Sequence, residues 1–175
     1  VESGGATNGM AADAHLSKAM ILTRLGRYDL ALAEAQLAAE LSRSIYQRAA
    51  ANVASSEALT KLGKYPEAES LLRQTIQMSA RARSSPNNTV FLTAQHELAG
   101  ALLAQGKYPE AESELRSLLH NVEKALGKKN PSYYISQHDL ATVLARQGRY
   151  PEAELLLGEV LTANLPHLGK EHPFY

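Results

Sequence analysis

The stretch Gly106-Lys-Tyr-Pro-Glu-Ala111 decides the fold, because the chain states it four times. The other copies read Gly26-Arg-Tyr-Asp-Leu-Ala31, Gly63-Lys-Tyr-Pro-Glu-Ala68 and Gly148-Arg-Tyr-Pro-Glu-Ala153, and their glycines lie 37, 43 and 42 residues apart. Recurrence at such a period marks a solenoid built from one repeated supersecondary unit. Before Gly106, Leu98, Ala99, Leu102 and Leu103 share one helical face; after it, Tyr108, Ala111, Leu115, Leu118 and Leu119 share another. Gly106 stands where the first helix must end in a left-handed conformation, which costs a residue without Cβ little. Pro109 falls in the first turn of the second helix, where its missing N–H loses no bond, and Glu110 and Glu112 suit the positive end of that helix. In the first unit Asp29 takes the place of the proline.

Small residues set how closely the paired helices approach. Ala19, Ser56, Ala99 and Ala141 stand seven residues before the glycines, and Ala31, Ala68, Ala111 and Ala153 five residues after. Such facing positions let antiparallel helices come to the short end of the usual range, roughly 8 Å. The pattern predicts an all-α solenoid of antiparallel pairs, with eight helices over 11–25, 28–43, 45–62, 66–82, 89–105, 109–126, 132–147 and 151–167. The units fall at about 12–44, 45–88, 89–131 and 132–175, behind a flexible tail at 1–10. Linkers are expected at Ser84-Ser-Pro-Asn-Asn88, Gly127-Lys-Lys-Asn-Pro131 and Gly169-Lys-Glu-His-Pro173. The last of these reads as the lead into another repeat, so the expectation is a piece of a longer protein.

Composition narrows the function. Lys plus Arg and Asp plus Glu both number 18, so the basic excess of a duplex-DNA binder is missing and no nucleic-acid partner is expected. There is no cysteine, which excludes disulfides, thiolate metal sites and a thiol nucleophile. No apolar run is long enough for a membrane span, and the first residues lack the apolar core of a signal peptide, so a cytoplasmic location is expected. A phosphate-cradling glycine loop, a His-Glu-x-x-His pair and a Gly-x-Ser-x-Gly elbow are all missing from the sequence. No enzyme activity and no cofactor are expected. Asn87-Asn88-Thr89 satisfies the glycosylation triplet by chance in such a chain.

From residue 12 to 175 the chain resembles a tetratricopeptide-repeat array. The leucine-small pairs, the Gly-x-Tyr-x-x-Ala turns and the spaced apolar residues after them carry the likeness. Leu126-Gly-Lys-Lys-Asn-Pro131 and Leu168-Gly-Lys-Glu-His-Pro173 make it similar to the kinesin-light-chain-like subgroup, whose longer second helix closes with a Leu-Gly-x-x-His-Pro turn. The first unit departs, with Lys18 for leucine and Ala35 for a larger residue, and the second has Ser55 at a leucine position; the expectation is looser packing there, or a first unit that acts as an atypical cap. The resemblance implies a right-handed superhelix whose first helices line a concave groove that binds a peptide, a partner helix or another domain.

By that resemblance the groove positions lie thirteen, ten, nine, six and two residues before each glycine. They select Arg24, Glu57, Lys61, His96, His138, Thr142 and Arg146 as partner-binding candidates, with Leu16, Met20 and Val53 as apolar neighbours. Arg24, Lys61 and Arg146 form an interrupted basic row that could hold a carboxylate, although cations also suit helix C-termini. His96 and His138 occupy the same place in adjacent units, and each precedes an acid, Glu97 or Asp139; a shared metal is disfavoured by the spacing between neighbouring helices. Many peptide-binding arrays carry asparagine nine before the glycine. Here Ser17, Ala54, Glu97 and Asp139 stand there, so the carboxylate clamp of chaperone-binding arrays is not reproduced. The alternative to a groove binder is a self-association or regulatory module, acting through Leu157, Leu161 and Leu165 at the C-terminal end, with a homo-oligomer as its product.

Overall fold

The computed structural model describes residues 3–81 and 89–164. Eight α-helices follow one another: α1 (Ser3–Arg24), α2 (Tyr28–Leu41), α3 (Ile45–Lys61), α4 (Tyr65–Arg81), α5 (Thr89–Ala104), α6 (Tyr108–Leu126), α7 (Pro131–Arg146) and α8 (Tyr150–Asn164). Odd and even helices pair as antiparallel hairpins, and each pair packs on the next. The linkers expected at 84–88 and 169–173, and Leu165, lie outside the described residues.

The four glycine turns are superimposable in their bonding. Gly26, Gly63, Gly106 and Gly148 have φ of 73°, 75°, 74° and 79°. The residue after each glycine, Arg27, Lys64, Lys107 or Arg149, donates its N–H to the carbonyl of Leu22, Leu59, Leu102 or Leu144 at 2.9–3.0 Å. This Schellman closure satisfies carbonyls that the ended helix leaves unpaired. The same leucines point into the core, with exposures of 8%, 5%, 0% and 0%. All eight small residues at the facing positions are buried. Ser44 caps α3 by accepting from the Gln47 N–H at 3.0 Å, and Asn130 caps α7 by accepting from Ser132.

One difference from the expected boundaries is large. Helix α1 begins at Ser3 rather than at residue 11, so residues 3–10, expected as a tail, are drawn into it. The Gln47 amide holds this stretch against α3, donating to the Gly9 carbonyl at 3.4 Å and to the Asp13 carboxylate at 3.1 Å. No proline interrupts the run, and Ala6, Ala11 and Ala12 favour helix.

The core is uneven. One contiguous cluster, including Leu72, Leu98, Leu102, Leu115, Leu140 and Leu144, joins α4 to α8, while Leu22 and Ala31 of the first unit form a separate small group with Ala58 of α3. Ser55, at the leucine position of α3, is 1% exposed and donates back to the Ala51 carbonyl at 3.0 Å. The looser packing read from Lys18, Ala35 and Ser55 therefore shows as a thinner apolar core at the N-terminal end.

Curvature follows from which layer is tighter. First helices pack directly on first helices, α1 on α3 and α3 on α5. Second helices reach one another through long charged side chains, as Arg73 on α4 reaches Glu110 on α6 at 3.0 Å. A stack that is closer along one layer bends toward that layer, which puts α1, α3 and α5 on the inner side. No described helix is long and apolar enough to cross a membrane.

Candidate functional site

All seven candidate residues sit on first helices, as the resemblance implies: Arg24 on α1, Glu57 and Lys61 on α3, His96 on α5, and His138, Thr142 and Arg146 on α7. The structure brings some of them together and leaves others apart. His96 Nε2 lies 2.7 Å from Asp139 Oδ2, bridging α5 to α7, and His138 Nδ1 lies 3.3 Å from the other oxygen of the same carboxylate. Asp139 thus joins both histidines. Glu97 interacts electrostatically with His96 on its own helix and with Glu57 and Lys61 on α3. A polar cluster therefore runs across three adjacent first helices. Thr142 turns its hydroxyl back to the His138 carbonyl at 3.1 Å. Arg24 and Arg146 are exposed helix ends outside this cluster.

In sequence His96 precedes Glu97 and His138 precedes Asp139. The closest partner of His96 is instead the acid of the next unit. Position ten before one glycine meets position nine before the next, because successive first helices are offset along the solenoid. Sequence spacing within a unit carries no sign of that offset, which is why Glu97 and Asp139 were read only as charges of the groove. Among the described residues, no three His, Asp or Glu side chains gather so as to hold a metal.

Protonation follows the geometry. The hydrogen bond to Asp139 raises the pKa of His96 above 6.5, against the opposing effect of burial. Burial pushes Asp139 up, but the hydrogen bonds from His96 and His138 outweigh it and hold the acid below 3.8. Burial, with Glu57 nearby, raises Glu97 above 4.5 although His96 and Lys61 pull the other way. For His96 the sign is that of a group with a raised folded-state value. Its contribution to stability is complete below about 6.5 and is lost as pH rises through the higher folded value. We expect the wild-type chain to lose denaturant resistance between pH 6 and pH 8 relative to Asp139→Asn, in which the pair is removed. Parallel urea curves for the two proteins at both pH values measure the difference.

A cavity of 310 Å³ opens beside His96, walled by Thr93, Leu118, Leu126, Ile135 and Ser136 among others. Thr93 and Ile135 are the residues thirteen before their glycines, and Ile135 is 53% exposed. Of the apolar neighbours read from sequence, Met20 is 51% exposed, whereas Val53 packs against the core. The groove thus offers an apolar recess next to a mixed-charge cluster.

A second constellation joins the second helices to the turns. Glu110 and Glu112 both stand near the start of α6, as the helix dipole favours, but the Glu112 side chain is only 15% exposed. It accepts from Arg116 at 2.8 Å, from Gln147 at 3.0 Å and from Arg149 at 2.8 Å. Glu69 does the same one unit earlier, accepting from Arg73 at 3.1 Å, Gln105 at 2.8 Å and Lys107 at 2.8 Å. Each glutamate clasps the turn of the following unit. The hydrogen bond from Lys107 leads the effects that hold Glu69 at about 2.

Comparison with known proteins agrees with this architecture. The family profile described as tetratricopeptide repeat matches residues 90–164 and, in a second version, residues 56–85. A search of curated protein sequences finds no match to the chain. Among solved structures, the TPR-like repeats of a kinesin-light-chain protein of Podosopora anserina are 28% identical at a TM-score of 0.78, covering 93% of this chain and 78% of that one. BtubC from P. vanneervenii is 12% identical at a TM-score of 0.78, with 95% and 74% covered. A Rap protein complexed with competence and sporulation factor is 14% identical at 0.76, with 94% of this chain and 44% of that one covered. Both of these low-identity likenesses concern the fold alone. With its repeated turns, small-residue contacts and matching profiles, the chain belongs to the tetratricopeptide-repeat family, as an array similar to those of kinesin light chains.

Proposed function

We propose that the chain is a protein-interaction scaffold that holds a peptide, a helix or a partner domain in the concave groove, without enzyme activity and in the cytoplasm. The observation that carries this reading is the polar cluster of Glu57, Lys61, Glu97, His96, Asp139 and His138 beside the recess at Ile135. Apolar anchors in the recess supply affinity, and the charges set register. Arg146, exposed at the end of α7, takes an acidic group of the ligand. A fold of this kind holds a partner in the Rap complex, which supports the reading as a likeness only.

Selection from a displayed peptide library on the wild-type chain provides probes. Peptides so selected are expected to lose about tenfold or more in affinity for the His138→Ala, Arg146→Ala double variant, a change of about 1.4 kcal/mol. Both side chains are exposed, so the helical circular-dichroism signal stays unchanged. Selected peptides that bind both proteins equally would refute the groove assignment.

A second reading, self-association, is favoured by the C-terminal helix. Leu155 and Leu161 are 67% and 53% exposed on α8, and Leu157 is 37% exposed. Exposed apolar residues grouped on one helix mark an interaction surface.

A further inference from the structure

We propose that a second copy of this chain stacks its first unit on the outer face of α8, head to tail, in the register that joins the units within the chain. This deepens the self-association reading and is independent of the groove.

The outer face of α8 is an open, largely apolar surface formed by Pro151, Glu154, Leu155, Gly158, Glu159 and Thr162. Tyr28, Tyr65 and Tyr108 are half-buried, but Tyr150, the same residue of the fourth unit, is 68% exposed. The internal junctions say what such a face accepts. The glutamate six past one glycine clasps the cation one past the next: Glu69 with Lys107, and Glu112 with Arg149, each at 2.8 Å. Glu154 holds the same place in the fourth unit. Arg27 holds the place of the cation in the first. Both are exposed, and neither side chain has an ion pair among the described residues.

The remaining positions change together on the two outer faces. Inside the chain, Arg73, ten past its glycine, reaches Glu110, four past the next, at 3.0 Å. On the outer faces the corresponding residues are Gly158 and Leu30, so neither charge is present to be stranded; Leu30 is 46% exposed. Inside the chain, Gln74, eleven past its glycine, shares a cavity wall with Leu98, eight before the next. On the outer faces these positions hold Glu159, which accepts from Gln137 at 2.8 Å, and Lys18, which pairs with Glu34 inside its own unit, so they are opposite in charge but each is already engaged.

Apolar surface is matched as well. Leu155 stands where the second and third units carry Ser70 and Ser113. On the opposite face Leu25, 66% exposed, stands where the third and fourth units carry Gln105 and Gln147. Ile21, 58% exposed, occupies the position that is buried as Ala58, Ala101 and Val143 within the chain. Leu155 and Leu161 on one face, and Leu25 and Ile21 on the other, supply the apolar surface of the stack. The two faces differ, so the contact is heterologous and adds chains in a row rather than closing a dimer.

The test is light scattering on the 175-residue chain from micromolar to millimolar concentration. The mean mass is expected to rise with concentration and to fall back as salt is added, because the ion pairs lie at an accessible rim. Glu154→Arg and Arg27→Glu should each weaken association about tenfold or more through like-charge contact, and the combined Glu154→Arg, Arg27→Glu chain should recover it. Circular dichroism verifies that the variants stay folded, and peptides selected on the groove should bind them unchanged. A monomer at every concentration overturns the proposal, and hydrogen-exchange protection of α8 in that monomer would point to residues 165–175 as the cover. Association that ignores the charge reversals also overturns it, since self-association would then use another surface.

Discussion

Leu102→Ala should lower the unfolding free energy by about 2–5 kcal/mol, the cost of a large-to-small change at a sealed core site. The side chain is fully buried within the cluster that joins α4 to α8, and its own carbonyl accepts the N–H of Lys107 that closes the turn. The backbone bond survives the substitution, so the loss reports packing alone. For a chain of this length each kcal/mol corresponds to a fall of about 2–4 °C in Tm. The same change at Leu22 should cost less. Leu22 occupies the equivalent position but is 8% exposed in a cluster of only three buried residues, so less contact is lost and the site relaxes more readily. Thermal melts of the two variants side by side measure the contrast. Equal losses would mean that the core is as dense at the N-terminal end as in the middle.

Glu69→Gln should cost about 1.5–3 kcal/mol at neutral pH, the range for hydrogen bonds to a charged group. The carboxylate is 13% exposed and gathers Arg73, Gln105 and Lys107, joining α4 to the turn before α6. Glutamine keeps the shape but brings a donor against three donors and removes the charge. The pH dependence gives a second signature. Because the folded-state value is depressed from 4.5 to about 2, the stabilisation is complete above about 4.5 and is lost as pH falls toward 2. The gap in urea midpoint between wild type and variant should therefore be widest near neutrality and shrink on acidification. A gap that stays constant through that window would mean that the glutamate charge does not hold the junction.

These two experiments separate what a linear reading reaches from what it does not. Leu102 is legible: its offset from Gly106, its helical spacing and its recurrence as Leu22, Leu59 and Leu144 announce a core position before any coordinates exist. Glu69 is not. In sequence it looks like any acid in the first turns of a helix, where solvent and the helix dipole account for it. Two of its three partners, Gln105 and Lys107, stand more than thirty residues away on the next turn, and only stacking brings them within 3 Å. The groove divides the same way. The family pattern placed all seven candidates on first helices, yet it could not show that Asp139 would take His96 across the unit boundary while Arg24 and Arg146 stayed outside the cluster.

By itself, then, the sequence determined everything local and repeated: eight helices, glycine turns with positive φ, small residues at each hairpin contact, and family membership. Those features depend on backbone conformation and on periodic burial, and both are written within a few turns of helix. Tertiary structure alone decided how far α1 extends and which charges meet between units. The physical reason is that a contact between units depends on the offset and twist of whole rods. Those quantities arise from the summed packing of many side chains, and no single stretch of residues records them.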